Sequence, residues 1–194
     1  MDAWWLLVVV SYVIGAFPTA QLIGRFTGND PTSEGSGNPG ASNMFRVAGK
    51  RAGALVLFGD GLKGFVPAAV GFAAGGRPLG LACGLAAMMG HVLPFARGSR
   101  VGGKGVATLA GASAFLYPLV AISLLIVWVV LTRVSRTPAI GSLVIALALP
   151  VGVAARGRPA WEVAAMAAAS GVVIVRHWSN IKRLAHHEEQ GQAG

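Results

Sequence analysis

Residues 35–43 read Gly-Ser-Gly-Asn-Pro-Gly-Ala-Ser-Asn, and Arg46, Lys50 and Arg51 follow close behind. A run so rich in glycine, with a proline inside it, holds neither a regular helix nor a strand. The chemistry it suits is anion binding. Glycines let a ligand approach the backbone and let successive amide N–H groups converge on it, while the basic side chains add charge. A second cluster, Gly102-Gly103-Lys104-Gly105, again sets glycine beside a cation, without the spacing of a Walker A loop. A third, near the C-terminus, holds Arg176, His177 and Asn180. The first loop thus offers Ser36, Asn38, Asn43 and Arg46, the second its backbone and Lys104, and the tail its Arg, His and Asn. Together these are the donors and fixed positive charges of a phosphate cradle. The plain alternatives are a solvated loop at 35–43 and lipid-headgroup contacts for Lys50 and Arg51. No group of Asp, Glu, His or Cys has metal-ligand spacing, so no metal and no other cofactor is expected.

The elements that must position these clusters are apolar helices. The chain has 194 residues, 54% of them hydrophobic and 12% charged, and its mean hydropathy is +0.64. A soluble domain carries about 25% charged residues. The net charge of +9 sits in short clusters between apolar runs. That pattern suits topology signals and anion sites rather than a nucleic-acid footprint, so no nucleic acid partner is expected. Cys83, the single cysteine, excludes an intrachain disulfide. One all-α membrane-embedded domain over residues 1–194 is expected, with membrane lipids as its surroundings.

Spans are expected over residues 4–24, 53–74, 79–95, 139–155 and 160–175, with a short outer turn at Gly75-Gly76-Arg77-Pro78. Residues 106–131 are too long for one untilted helix and too short for two, since a span needs about 20 residues. One crossing would put Arg133 and Arg136 outside; a broken hairpin turning near Tyr117-Pro118 keeps them inside. The positive-inside rule favours the hairpin. Of the 16 Lys and Arg, it leaves only Arg77, Arg156 and Arg158 outside, with Lys63 inside a helix. The expected architecture is about seven transmembrane helices, two of them short, with the N-terminus outside and the C-terminus cytoplasmic. Every glycine-rich and basic cluster then shares one membrane face. Asp60 and Lys63 fall on one helix face, three residues apart; they pair with each other or face the cavity, because a lone intramembrane charge is costly. His91 reads either as a packing histidine or as part of the site.

These residues resemble a known family, the bacterial acyl-phosphate:glycerol-3-phosphate acyltransferases, integral membrane enzymes of phospholipid synthesis. The first motif, Gly-Ser-Gly-Asn-x-Gly-Ala-Thr/Ser-Asn and then Arg, matches residues 35–43 with Arg46. The second, Gly-His, a proline, then Gly-Gly-Lys-Gly-Val-Ala-Thr, matches Gly90, His91, Pro94 and residues 102–108. The third, Arg-His-x-x-Asn-Ile-x-Arg-Leu and a Glu, matches Arg176, His177, Asn180, Ile181, Arg183, Leu184 and Glu189. Asp60-x-x-Lys63-Gly64 fits as well. The resemblance runs through essentially the whole chain. The family departs from this sequence at Thr32, at Arg100-Val101, at the His91–Lys104 spacing and around residues 135–138.

The resemblance implies acyl transfer from a fatty acyl phosphate to the 1-hydroxyl of glycerol 3-phosphate at the cytoplasmic face of the bacterial inner membrane. Acyl phosphate and glycerol 3-phosphate are then the substrates, and the enzyme that makes acyl phosphate is a candidate partner. It makes Ser36, Lys104 and His177 the catalytic set. Gly35, Gly37, Asn38, Gly40, Asn43, Arg46, His91, Gly102, Gly103 and Asn180 become the substrate-binding set. Ser36 and the backbone of residues 35–40 would hold the acyl phosphate. Arg46 and Lys104 would neutralise phosphate charge, and His177 and Asn180 would place the acceptor. The general base stays open between His177 and the donor's own phosphate, with a Ser36 ester as a third route. No histidine has the His-x4-Asp pairing of the soluble-type glycerolipid acyltransferases. Two other readings remain: a divergent paralogue acylating another acceptor, and a transporter of a small phosphorylated anion built on broken helices.

Overall fold

A computed structural model describes residues 4–95 and 102–186. Arg97, Arg100 and Glu189 lie outside the described residues. Everything described is helix or connecting loop. Among the described residues, four segments are long and apolar enough to cross a membrane: Trp4–Thr27, Gly49–Val92, Pro118–Ser135 and Pro138–Ala155. The chain divides into two compact units, Met1–Leu116 and Tyr117–Gly194.

In the first unit the opening apolar segment is not one helix. It breaks into α1 (Trp4–Gly15) and α2 (Thr19–Thr27), because Pro18 has no N–H to continue the ladder and restricts the residue before it. The short α3 (Ala41–Val47) follows the first glycine-rich loop, and α4 (Gly49–Val92) then runs as two arms. Gly75 and Gly76 leave helical geometry between them, Gly76 with φ of 70°, a conformation that favours glycine. The arms return on each other with small residues at their contact: Gly71 faces Leu79 and Cys83, and Gly84 faces Ala68 and Ala112. This is the expected turn at residues 75–78.

The remaining contacts in this unit are equally close. Any side chain at Gly15 would collide with the Ala87 backbone, and any at Gly90 with the Tyr12 backbone, so α1 runs antiparallel to the second arm of α4. Gly64 abuts the Thr108 carbonyl and Gly111 the Gly61 carbonyl, which seats α5 (Val106–Leu116) against the first arm. Small residues at such crossings let backbones meet, the usual means of association in lipid. Ala20, Met44, Ala52 and Val56 form a buried cluster joining α2, α3 and the start of α4.

The second unit opens at Tyr117. The break expected at Tyr117-Pro118 is present, with Pro118 at the first position of α6 (Pro118–Ser135). The expectation of a short second piece is corrected. α6 has 18 residues, since Thr132 and Arg133 extend the helix past the end of the apolar run. α7 (Pro138–Ala155) folds back along it: Gly152 meets Val120, Gly141 meets Trp128, and Trp128 Nε1 donates to Ser142 Oγ at 3.2 Å. α8 (Ala160–Arg176) and the short α9 (Trp178–Ala185) complete the described chain.

Candidate active site

The first glycine-rich loop is held from beneath by one side chain. Asn43, 1% exposed, accepts the Ser36 N–H on Oδ1 at 2.9 Å and donates through Nδ2 to Pro31 O at 3.0 Å and Glu34 O at 2.9 Å. Upstream, Asp30 Oδ1 accepts from the Thr32 amide at 2.9 Å and the Thr32 hydroxyl at 2.6 Å, closing an Asx turn. Gly35 and Gly37 take φ of 59° and 68°, which turns the chain sharply over the Asn43 amide. Ser36 and Gly37 are exposed at the crest.

Asn43 thus brackets the loop from beneath. The amides of Ser36, Gly37 and Gly40 donate to Asn43 Oδ1, Glu34 O and Asn38 O. What the loop presents outward is the exposed Ser36 side of its crest.

The second loop is built differently. Gly102 N–H donates to Val92 O at 3.0 Å and Gly103 N–H to His91 O at 3.1 Å. Both amides therefore cap the carbonyl end of α4. A Cβ at Gly102 would strike His91 O, and one at Gly103 would strike the His91 imidazole. Only glycines can lie this flat on the end of α4, and the next residue is Lys104. His91 is buried and its Nδ1 lies 3.7 Å from Asp60 Oδ1. Asp60 in turn pairs with Lys63 at 2.7 Å. Both expectations for that pair hold: they bind each other and line a cavity with Phe17, Pro39, His91 and Gly103.

In the second unit His177 is buried at the α8–α9 junction, with Nδ1 2.8 Å from Val173 O. A carbonyl only accepts, so Nδ1 carries the proton, and in the neutral ring Nε2 holds the lone pair. Asn180 is buried one turn later. Among the described residues no group of three or more His, Cys, Asp or Glu is placed to hold a metal ion.

The chain has counterparts among known proteins. A family model described as glycerol-3-phosphate acyltransferase matches residues 5–187. The chain belongs to the glycerol-3-phosphate acyltransferase family. Its relatives in that family include the glycerol-3-phosphate acyltransferase of Thioalkalivibrio sulfidiphilus, 40% identical over 94% of this chain and 91% of that protein. The enzyme of the same name from Geobacter sulfurreducens is 39% identical over 92% of each. Among solved structures, the fold is similar to PlsY (YgiH), an integral membrane glycerol 3-phosphate acyltransferase, in its glycerol 3-phosphate form. That likeness has a TM-score of 0.93 and 31% identity, over 99% of this chain and 96% of the other. The lysophosphatidic acid form of PlsY gives 0.91 and 32%, over 98% and 95%. The chain is therefore an integral membrane protein of this acyltransferase family.

Two features of the fold had no weight in the sequence reading. One is Glu162, 1% exposed, which accepts from Tyr117 Oη at 2.7 Å and from Arg158 Nε and Nη2 at 3.2 Å each. The Arg158-x3-Glu162 spacing is the signal that could have found it. The other is the break before Pro18, which a proline inside an apolar run announces.

Proposed function

We propose that this chain transfers a fatty acyl group from acyl phosphate to the 1-hydroxyl of glycerol 3-phosphate, giving lysophosphatidic acid and inorganic phosphate. The observation that carries the reading is the full-length likeness, at 31% identity, to PlsY in its glycerol 3-phosphate form. Phosphate-directed charge at Arg46 and Lys104 fits a donor and an acceptor that both carry phosphate. In the reaction the acceptor oxygen attacks the acyl carbonyl carbon, the carbon–oxygen bond to phosphate breaks, and phosphate leaves with the electron pair. Lys104 and Arg46 stabilise charge on the leaving phosphate and on the acceptor's phosphate. Ser36, at the crest held by Asn43, meets the acyl phosphate. His177 Nε2 and Asn180 orient the acceptor hydroxyl, and its proton goes to His177 or to the departing phosphate. Much of the rate then comes from positioning.

The same reading gives about seven crossings of a bacterial inner membrane, with the N-terminus outside, the C-terminus in the cytoplasm and one acyltransferase domain over the whole chain. The acyl tail lies among helices while the phosphates stay at the cytoplasmic face, where the enzyme that makes acyl phosphate can hand over its product.

The test uses purified protein in lipid with palmitoyl phosphate and glycerol 3-phosphate, following phosphate and lysophosphatidic acid together. Acyl-CoA is the parallel donor. Product from acyl phosphate alone, reduced about 100-fold or more in Lys104→Ala, is the expected result. Phosphate without the lipid product points to another acceptor, and no turnover with either donor overturns the proposal. Turnover of His177→Ala at saturating substrate, if close to wild type, assigns the proton to the donor phosphate.

A further inference from the structure

We propose that the buried Asp60–Lys63 pair is a positioning device for the reaction, tying the break between α1 and α2 to the loop that presents Lys104. This rests on the acyltransferase reading above. The pair does more than neutralise itself. Lys63 Nζ donates to Asp60 Oδ1 at 2.7 Å and to the Phe17 carbonyl at 2.6 Å. At the break Phe17 O accepts the Thr19 amide at 3.0 Å, two residues on rather than four as in an unbroken helix, and its second lone pair takes Lys63 Nζ. Lys63 therefore fixes the α1–α2 break onto α4.

Asp60 extends the connection in the other direction. The oxygen that binds Lys63 is the one 3.7 Å from His91 Nδ1. His91 in turn carries the second loop: its carbonyl accepts the Gly103 amide at 3.1 Å, and its imidazole lies against Gly103 so closely that a methyl group would collide. Lys104 is the next residue. A shift of His91 thus moves the seat of Lys104 directly. Pro39 of the first loop lines the same cavity as Lys63, His91 and Gly103, so both glycine-rich loops abut the space that the pair occupies.

A purely structural ion pair makes a different prediction. Buried pairs are often replaced by apolar residues with no loss of stability, whereas removing one partner strands a buried charge. The double variant Asp60→Leu/Lys63→Met therefore separates the two roles. If the pair only stabilises, the double variant regains both fold and turnover. If it positions, the double variant is as stable as wild type, yet kcat stays about tenfold or more below it while KM for glycerol 3-phosphate changes less than about threefold. Amide hydrogen exchange in lipid nanodiscs supplies a readout independent of turnover. Exchange at Gly102 and Gly103 should speed about tenfold in the double variant, with the amides of residues 52–58 unchanged.

A folded double variant with wild-type kcat, or with unchanged exchange at Gly102 and Gly103, overturns the proposal. Should Lys63→Met alone fail to fold, the double variant still decides. Absence of turnover in the wild type would count against the acyltransferase reading instead, and the exchange arm would then settle the positioning role by itself.

Discussion

Asn43→Ala is the perturbation whose consequence follows most directly from the geometry. The side chain makes three hydrogen bonds to the loop backbone, at 2.9, 3.0 and 2.9 Å. Each contributes about 1 kcal/mol net, so the loop loses about 3 kcal/mol relative to its open forms. At about 1.4 kcal/mol per factor of ten, that is roughly a 100-fold change in the closed-to-open ratio. The loop crest is exposed, so water can take the vacated positions and offset part of the loss. The Ala20–Met44–Ala52–Val56 cluster beneath it is untouched. The expectation is a fall in kcat/KM of about 30-fold to 100-fold, with a thermal midpoint lowered by only a few degrees. Asn43→Asp keeps the acceptor but sets a carboxylate against Pro31 O and Glu34 O, and should do at least as much damage. The assay is lysophosphatidic acid formation from palmitoyl phosphate and glycerol 3-phosphate, with hydrogen exchange at the Ser36 amide measured in parallel. An Asn43→Ala protein that stays within threefold of wild type while its Ser36 amide exchanges freely would refute the link between loop closure and turnover.

Gly103→Ala places a methyl group into the His91 imidazole; turnover should drop about tenfold or more, because Lys104 is displaced with the loop. Comparing that variant with wild type at saturating glycerol 3-phosphate checks it. Glu162→Gln removes the carboxylate that Tyr117 and Arg158 share. It should destabilise the second unit by about 2 kcal/mol, seen as a lower thermal midpoint in detergent. Turnover per folded molecule should stay within twofold of wild type, because Glu162 lies in the first turn of α8, about four turns from His177 at the end of that helix.

Much of the fold was legible because hydropathy is a strong signal in a membrane chain. The break at Tyr117-Pro118 is legible, since a proline after an aromatic residue stands at the middle of an overlong run. Pro18 carries the same information, but the apolar residues on both sides of it complete a span of ordinary length and mask it. The length of α6 is hidden for the opposite reason. Its last turn is polar, and a hydropathy criterion stops where the helix does not. At the candidate site the residue types were legible and their uses were not. Glycine with a neighbouring cation suggested amides aimed at an anion, yet Gly102 and Gly103 give theirs to Val92 and His91. A sequence shows which amides exist. It does not show which carbonyls the fold brings to them, and at α4 those are the orphan carbonyls of a helix end. The Asn43 bonds to Pro31 and Glu34 and the Tyr117–Glu162 bond are further forms of the same limit, since tertiary structure alone brings those partners together.

The reversal at Gly75–Gly76 bears on how the chain enters a bilayer. Two apolar arms joined by so tight a turn cannot be released into lipid separately; they must partition as a pair. A lysine on the first arm would oppose that step if its counter-ion came from elsewhere in the protein. Here Asp60 sits three residues away on the same arm, so the arm is neutral at that level before any neighbour arrives. His91, on the returning arm, reaches Asp60 as the hairpin closes. Phe17 belongs to a segment synthesised earlier, so its carbonyl is already present to accept from Lys63. The order of residues along the chain thus keeps the buried charges accompanied at each stage of biogenesis.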